Sequence, residues 1–139
     1  MKNRIFFILL CFSSLLNAQS IVGEWVTYHD KTKSKKSVIE IYKVGDEYFG
    51  KIITLFEDPL DSICEKCKGK NKDMPVIGME FIENLKKDGE EFNDGTILDP
   101  KDGKKYKCYL KLLNKNKLKV RGFVGFSIIG RTQYWLRNI

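Results

Sequence analysis

Two consecutive segments near the C-terminal end of the chain alternate apolar and polar residues with a period of two. The apolar positions are Tyr106, Cys108, Leu110 and Leu112 in the first segment, and Leu118, Val120, Gly122 and Val124 in the second. Lysines or an arginine occupy most of the intervening positions. Because successive side chains of a β-strand point to opposite faces, each segment predicts a strand with one buried and one solvated face. Adjacent strands of this kind indicate an antiparallel sheet that is closed on itself or packed on another sheet.

Short runs rich in Val, Ile, Tyr, Phe and Thr recur along the rest of the chain. The eight predicted strands cover residues 21–28, 37–43, 47–55, 76–82, 91–98, 104–113, 117–125 and 128–137. Gly, Asn and Asp in the connectors tolerate the positive φ angles of tight hairpins, so sequential strands should pair antiparallel. Only the polar, lysine-rich connector from Phe56 to Pro75 is long. This pattern predicts an all-β fold, a single antiparallel up-and-down eight-stranded barrel, since a Greek-key sandwich needs long crossovers.

The first 18 residues have the three parts of a secretory signal peptide. Lys2 and Arg4 form a positive region, residues 5–16 form an apolar run, and Ala18 supplies a small residue at the cleavage point. The apolar run is shorter than the roughly 20 residues that span a bilayer. We therefore predict that residues 1–18 are cleaved and that the product is periplasmic or secreted. It is not an integral membrane protein, and residues 19–139 form one domain.

The excess of positive charge comes mainly from lysine. Without Lys2 and Arg4 the chain has 23 basic and 18 acidic side chains, a formal charge of +5. The 20 lysines that remain are scattered over turns and strand faces, so we interpret them as a contribution to solubility. A nucleic-acid partner would require a focused basic stripe with interleaved aromatic residues, and none is predicted. The three arginines, Arg121, Arg131 and Arg137, all lie in the last two predicted strands.

Three cysteines remain after removal of the predicted signal peptide. Cys64 and Cys67 form a Cys-x-x-Cys motif in the long connector, and Cys108 lies on the apolar face of a predicted strand. An oxidising compartment favours a disulfide, either between Cys64 and Cys67 or between this connector and Cys108. A redox-active pair would need a helix start beside a parallel sheet. A zinc site would need four suitably spaced ligands, and we predict no metal.

The sequence shows no recognisable catalytic constellation. His29 is the only histidine, and no nucleophile motif lies near it, so a Ser/His/Asp arrangement cannot be assembled. Glycine-rich phosphate loops are also absent from the sequence. We therefore predict no catalytic residue and no cofactor.

Several motifs are distributed along the predicted domain. They include Gly23-Glu24-Trp25 in the first strand, Gly95-Thr96-Ile97-Leu98-Asp99-Pro100, Gly103-Lys104-Lys105-Tyr106, and Gly130-Arg131-Thr132-Gln133-Tyr134-Trp135 near the end. Together they resemble an exported bacterial family, the domain of unknown function 2147 (DUF2147), whose fold is similar to that of calycins and lipocalins. The resemblance spans nearly all of residues 19–139. It implies a lipocalin-like barrel and export, and it carries no activity or substrate.

The resemblance to calycins also implies a structural role for the Gly-x-Trp motif. In calycins this tryptophan closes one end of the barrel, and an arginine from the last strand packs across it. Gly23 and Trp25 are the matching residues here, with Arg137 or Arg131 as the packing arginine. An indole seals the barrel end, and a guanidinium can stack on it while bonding to nearby carbonyl groups.

Two functions from different classes are compatible with this pattern. The first is a non-catalytic barrel that binds a small apolar or amphipathic ligand, because an eight-stranded barrel has room for one. Its candidate ligand-binding residues are Arg121, Arg131, Tyr106 and Tyr134. The alternative is a filled barrel that serves as a scaffold for protein contacts in the envelope through the connector from Phe56 to Pro75. That alternative requires a lumen plugged by side chains, for which the candidates are Tyr42, Tyr48, Tyr106 and Tyr134.

Overall fold

The structure is a computed structural model that describes residues 20–125 and 129–139. Within these residues, eight antiparallel strands form one closed barrel in which β1 to β8 pair in sequence order and β8 pairs with β1. The strands are β1 (Gly23–Tyr28), β2 (Lys35–Val44), β3 (Glu47–Leu55), β4 (Glu80–Asp88), β5 (Glu91–Asp99), β6 (Lys104–Asn114), β7 (Lys117–Val124) and β8 (Ile129–Arg137). The predicted all-β up-and-down barrel is confirmed. The predicted signal peptide, residues 1–18, lies outside the described residues.

The alternation in β6 and β7 gives these strands one buried face. Leu110 lies opposite Val120, and Leu112 lies opposite Leu118. Leu110, Leu118 and Val120 are buried, together with Trp135 of β8. The lysines between them lie on the outer face, so the period-two pattern separates the core from solvent in these strands.

The fourth strand lies further along the chain than the sequence pattern predicts. The prediction was residues 76–82, but β4 is Glu80–Asp88. The prediction was wrong because Val76 and Met79 are buried as part of the connector and not as strand residues. The true strand ends in polar residues, and Asn84 has a positive φ of 61° that interrupts its alternation.

The connector between β3 and β4, residues 56–79, is folded back on itself. Ile63 and Pro75 form an antiparallel bridge, and a disulfide joins Cys64 to Cys67. The amide of Cys64 donates to the carbonyl of Met74 at 2.9 Å. The connector includes a three-residue 3-10 helix, Gly69–Asn71. Among the described residues, no helix has the length and apolarity needed to cross a bilayer.

Trp25 and Arg137 close the barrel end at which the described chain begins. Trp25 is fully buried, and its Nε1 donates to the carbonyl of Ile21 at 2.9 Å. The guanidinium carbon of Arg137 lies 4.2 Å from the centroid of the indole. The same guanidinium donates to three backbone carbonyls, those of Ser20, Val22 and Lys115. Arg137, rather than Arg131, is therefore the arginine that stacks on Trp25.

Candidate functional site

A cavity of about 600 Å³ occupies the barrel end opposite Trp25. The C-terminal ends of the odd-numbered strands and the N-terminal ends of the even-numbered strands converge there. The inner wall is apolar and is formed by Ile52, Leu55, Val76, Phe81, Val120 and Trp135. Hairpin loops and the long connector form the mouth. The cavity therefore has an apolar interior and a polar entrance.

Two hydroxyl groups interrupt the apolar wall. Thr27 of β1 and Ser37 of β2 are both buried, and their side-chain oxygens lie 2.6 Å apart. One hydroxyl donates to the other, so both oxygen atoms have a partner within the wall, and the O–H of the accepting hydroxyl is left for a further acceptor.

Asp102 and Tyr106 form a hydrogen-bonded pair at the mouth. The hydroxyl of Tyr106 donates to Oδ2 of Asp102 at 2.5 Å. Partial burial opposes ionisation of Asp102, but bonds from Tyr106 and the Lys104 amide outweigh it and hold the pKa of this carboxyl below its usual range. The same bond raises the pKa of Tyr106. Tyr106 therefore keeps its proton at neutral pH and Asp102 is ionised.

A hydrogen-bond network links Trp135 in the cavity wall to Arg131 at the mouth. The indole of Trp135 donates to Gln133 at 3.2 Å, and the amide of Gln133 donates to Asp30 at 3.1 Å. Arg131 pairs with the other carboxylate oxygen of Asp30 at 3.2 Å. This network joins β8 to the turn after β1 across the mouth. Arg131 remains 62% exposed, so its guanidinium is accessible to solvent.

Lys36 is the more buried cation of the mouth. Burial lowers the pKa of its ammonium, and the neighbouring charges are Lys101, Asp99, Arg131 and Asp58. An anion beside this amine would offset the desolvation that its charge experiences. Lys36, Lys101 and Arg131 line the mouth together with Asp58, Asp99 and Asp102, so the mouth carries both signs of charge and is suited to a polar group.

His29 joins the turn after β1 to the connector near the same entrance. Its Nε2 lies 2.8 Å from a carboxylate oxygen of Glu57, and the hydroxyl of Ser34 donates to the other oxygen at 2.6 Å. The hydrogen bond from Ser34 holds Glu57 near the mouth, with His29 close beside it. Among residues 20–125 and 129–139, no group of three or more His, Cys, Asp or Glu side chains is arranged to hold a metal ion.

The structure brings two of the four candidate ligand-binding residues to the cavity. Arg131 and Tyr106 line it. Arg121 lies on the outer face of β7, where its Nη1 donates to Thr132 at 3.0 Å. Tyr134 is also on the outer face and is 49% exposed. Since Gly122 and Gln133 face inward, their neighbours Arg121 and Tyr134 face outward by the strand alternation.

Sequence reasoning missed three polar residues of the mouth. Gln133 shares the alternating face of Arg131 and Trp135, so the period-two pattern of β8 could have identified it. Asp30 lies in a turn, and Lys36 lies beside the register shift between β1 and β2. The alternation of apolar and polar residues does not extend through a turn or a register shift, so it could not have identified Asp30 or Lys36.

The four tyrosines proposed to plug the lumen are divided between the two faces of the barrel. Tyr42 bonds to Glu80 on the outer face, and Tyr134 is also outside. Tyr48 packs edge-on against Phe92, with ring centroids 4.8 Å apart, in the buried core. Only Tyr106 borders the cavity, and about 600 Å³ remains beside it.

The third cysteine, Cys108, is buried and has no disulfide partner. Burial raises the pKa of the Cys108 thiol to about 12, so the reactive thiolate is scarce at neutral pH. For a chain that starts at Gln19, we expect almost no reaction with a thiol reagent in the native state. Denaturation should release one reactive thiol, and the Cys108→Ser variant should release none. Three thiols in the denatured, unreduced chain would contradict the disulfide.

The closed barrel with one cavity-bearing end defines a lipocalin-like protein. The chain belongs to the family described as "Uncharacterized protein conserved in bacteria (DUF2147)", whose model matches residues 23–137. A similar solved structure is protein HP1028 from the human pathogen Helicobacter pylori, which belongs to the lipocalin family. The TM-score is 0.77 at 16% identity, over 86% of this chain and 84% of that chain. This likeness concerns the fold. No curated protein matches the sequence.

Proposed function

We propose that the protein binds one small apolar or amphipathic ligand in the barrel cavity and catalyses no reaction. The observation that supports this function is the cavity of about 600 Å³. Pockets that bind small molecules typically measure about 300–1,000 Å³ and combine apolar walls with a few polar groups. The proposal assumes the export predicted from residues 1–18, which the intact mass of the native protein tests directly.

The polarity of the cavity favours an amphipathic ligand with its polar group outward. The apolar wall would contact a hydrocarbon portion, which burial stabilises by about 0.8 kcal/mol per methylene group. Lys36 and Arg131 lie at the mouth, where an anionic group could form charge-assisted hydrogen bonds. Because Asp30 already pairs with Arg131, Lys36 is the stronger candidate for this contact.

The alternative function is protein contact in the envelope through the connector. Leu60, Ile63 and Met74 are exposed apolar residues on this segment, and exposed apolar residues can mark an interaction surface. The cavity beside Tyr106 is an argument against the filled lumen that the scaffold hypothesis requires. We therefore place ligand binding first.

A cavity-filling substitution tests ligand binding. Gly122 lines the cavity, and a Cβ at this position would make only ordinary contacts, the nearest at 3.4 Å from Ile97. Leucine should therefore fit the backbone and occupy ligand space. We expect the neutral lipophilic probe N-phenyl-1-naphthylamine to bind the unmodified protein at one site and dodecanoic acid to displace it. Gly122→Leu should weaken probe binding at least about tenfold.

Thr96→Leu is the matched control, because Thr96 lies opposite Lys107 and does not line the cavity. It should leave probe affinity unchanged. Circular dichroism should show the same strand content in both variants. Probe binding that is absent from the unmodified protein, or that survives Gly122→Leu unchanged in a folded barrel, would refute the proposed function.

A further inference from the structure

The two parts of the chain carry opposite charge. Residues 103–139 contain ten lysines and arginines and neither aspartate nor glutamate. Residues 19–102 contain 13 basic and all 18 acidic side chains, a formal charge of −5. Strands β6, β7 and β8 are neighbours in the barrel, so this difference in sequence becomes a difference between two sides of the molecule.

The outer side of these three strands has a continuous basic surface. Lys111 lies opposite Lys119, which lies opposite Tyr134, and Tyr109 lies opposite Arg121. We define the basic face as Lys107, Tyr109, Lys111, Lys117, Lys119 and Tyr134.

The charge arrangement of the basic face costs stability. Like charges directly opposite each other on neighbouring strands repel, as Lys111 and Lys119 do here. Glu91 of β5 borders the face beside Lys111. Within the described part of the chain, none of the four lysines of the face has a carboxylate within salt-bridge distance. Glu91 lies opposite Lys111 alone, and the other three lysines of the face have no cross-strand carboxylate among the described residues, which favours an anionic partner outside the molecule.

The aromatic residues of the face indicate which anionic partner fits. The amine of Lys117 lies 5.0 Å from the ring centroid of Tyr134, and that of Lys119 lies 5.6 Å from Tyr109. Amines therefore cover these rings, which leaves less open surface for the base stacking that single-stranded nucleic acids use. Lysines together with tyrosines and exposed aliphatic residues, such as Leu136 beside Lys117, are typical of a membrane interface.

The basic face is continuous with the mouth of the cavity. Phe123 of β7 contacts Tyr109 of the face, with ring centroids 6.2 Å apart, and also lines the cavity. Beyond it, Val124 is 56% exposed and Ile129 is 71% exposed, and both border the mouth. A flat anionic surface along the basic face would therefore also reach these apolar residues at the rim of the entrance, where β7 ends and β8 begins.

We propose that the basic face docks the barrel onto an anionic lipid bilayer, with Val124 and Ile129 directed to its surface. This interaction goes beyond the proposed ligand binding and does not require an occupied cavity. It gives a lipophilic ligand a short path between bilayer and barrel. Docking of this kind is electrostatic and peripheral, so it weakens as salt screens the charges.

Vesicle co-sedimentation tests the docking. The chain should start at Gln19, because the apolar run at residues 5–16 would itself bind lipid. We expect binding to vesicles of phosphatidylcholine with about one-third phosphatidylglycerol, weak binding to phosphatidylcholine alone, and release by salt. The triple variant Lys111→Gln, Lys117→Gln, Lys119→Gln should bind about a hundredfold more weakly, at about fivefold per lysine.

The control variant is Lys43→Gln, Lys86→Gln, Lys87→Gln, which removes three exposed lysines from β2 and β4. It should bind the vesicles like the unmodified protein. An equal loss in both triple variants, or equal binding to both kinds of vesicle, would overturn the proposal. The proposal would also be overturned if the unmodified protein bound a single-stranded oligonucleotide and the basic-face variant lost that binding while its vesicle binding stayed unchanged. The basic-face variant should keep its affinity for N-phenyl-1-naphthylamine, and Gly122→Leu should keep vesicle binding, so the two proposals fail separately.

Discussion

Replacing Trp25 with alanine is expected to lower the free energy of unfolding by about 3–5 kcal/mol. The indole is fully buried, so its removal exposes a cavity at the closed barrel end and loses apolar burial. The substitution also leaves the carbonyl of Ile21 without its indole donor and removes the surface on which Arg137 stacks. Arg137 would retain its carbonyl acceptors but lose the ring that covers it. Urea unfolding followed by circular dichroism measures the change.

The control for Trp25→Ala is Tyr134→Ala, which removes an exposed aromatic ring instead of a buried one. Tyr134 lies on the outer face of β8, so we expect a change within about 1 kcal/mol. The comparison separates the loss of a buried ring from the loss of aromatic β-propensity. If both variants lost similar stability, Trp25 would not have the closing role assigned to it.

The sequence predicted the barrel well where alternation was strict. β6 and β7 begin at the predicted residues because their inner positions are apolar and their outer positions are mostly basic. β4 was misplaced because Val76 and Met79 are apolar for a different reason: they anchor the connector over the core. Periodicity reports burial, and burial has the same signature in a strand and in a packed loop.

The sequence predicted that the barrel could hold a ligand, but it predicted only some of the residues that line the cavity. An eight-stranded barrel has room for a ligand. Arg131 and Tyr106 line the cavity, as the ligand-binding hypothesis predicted. Strand parity could have placed Arg121 outside, since its neighbours Val120 and Gly122 were already assigned to the inner face. Lys36 could not be found in this way because its position depends on how the turn after β1 folds across the mouth.

The positions of the lysines alone indicate only a contribution to solubility. The informative count is that of the acidic residues, which are absent from residues 103–139. A lysine among carboxylates is locally neutralised, whereas the same lysine among lysines contributes to a positive field. The distribution of Asp and Glu along the sequence is therefore the signal that could have identified the basic face.

Replacing Gly103 with alanine is expected to destabilise the protein by about 2–5 kcal/mol, because two penalties combine. Gly103 has a positive φ of 70°, which costs an alanine about 1–2 kcal/mol. In addition, a Cβ would lie 2.0 Å from the carbonyl oxygen of Lys66 and 2.8 Å from the amide of Cys67. These are backbone atoms beside a disulfide, so they cannot move away as a flexible side chain would. The β5–β6 turn and the connector would have to separate at the mouth of the cavity.

Gly45→Ala carries only the first penalty, the positive φ. Gly45 has a similar φ of 61°, and a Cβ at this position has no neighbour within 4 Å. It should therefore cost only about 1–2 kcal/mol, the conformational part of the effect. The difference between the two variants in urea unfolding then measures the contact between the β5–β6 turn and the connector. Equal destabilisation would mean that this contact contributes nothing to stability. A larger effect at Gly103, together with weaker probe binding, would show that the contact both stabilises the barrel and shapes the entrance to its cavity.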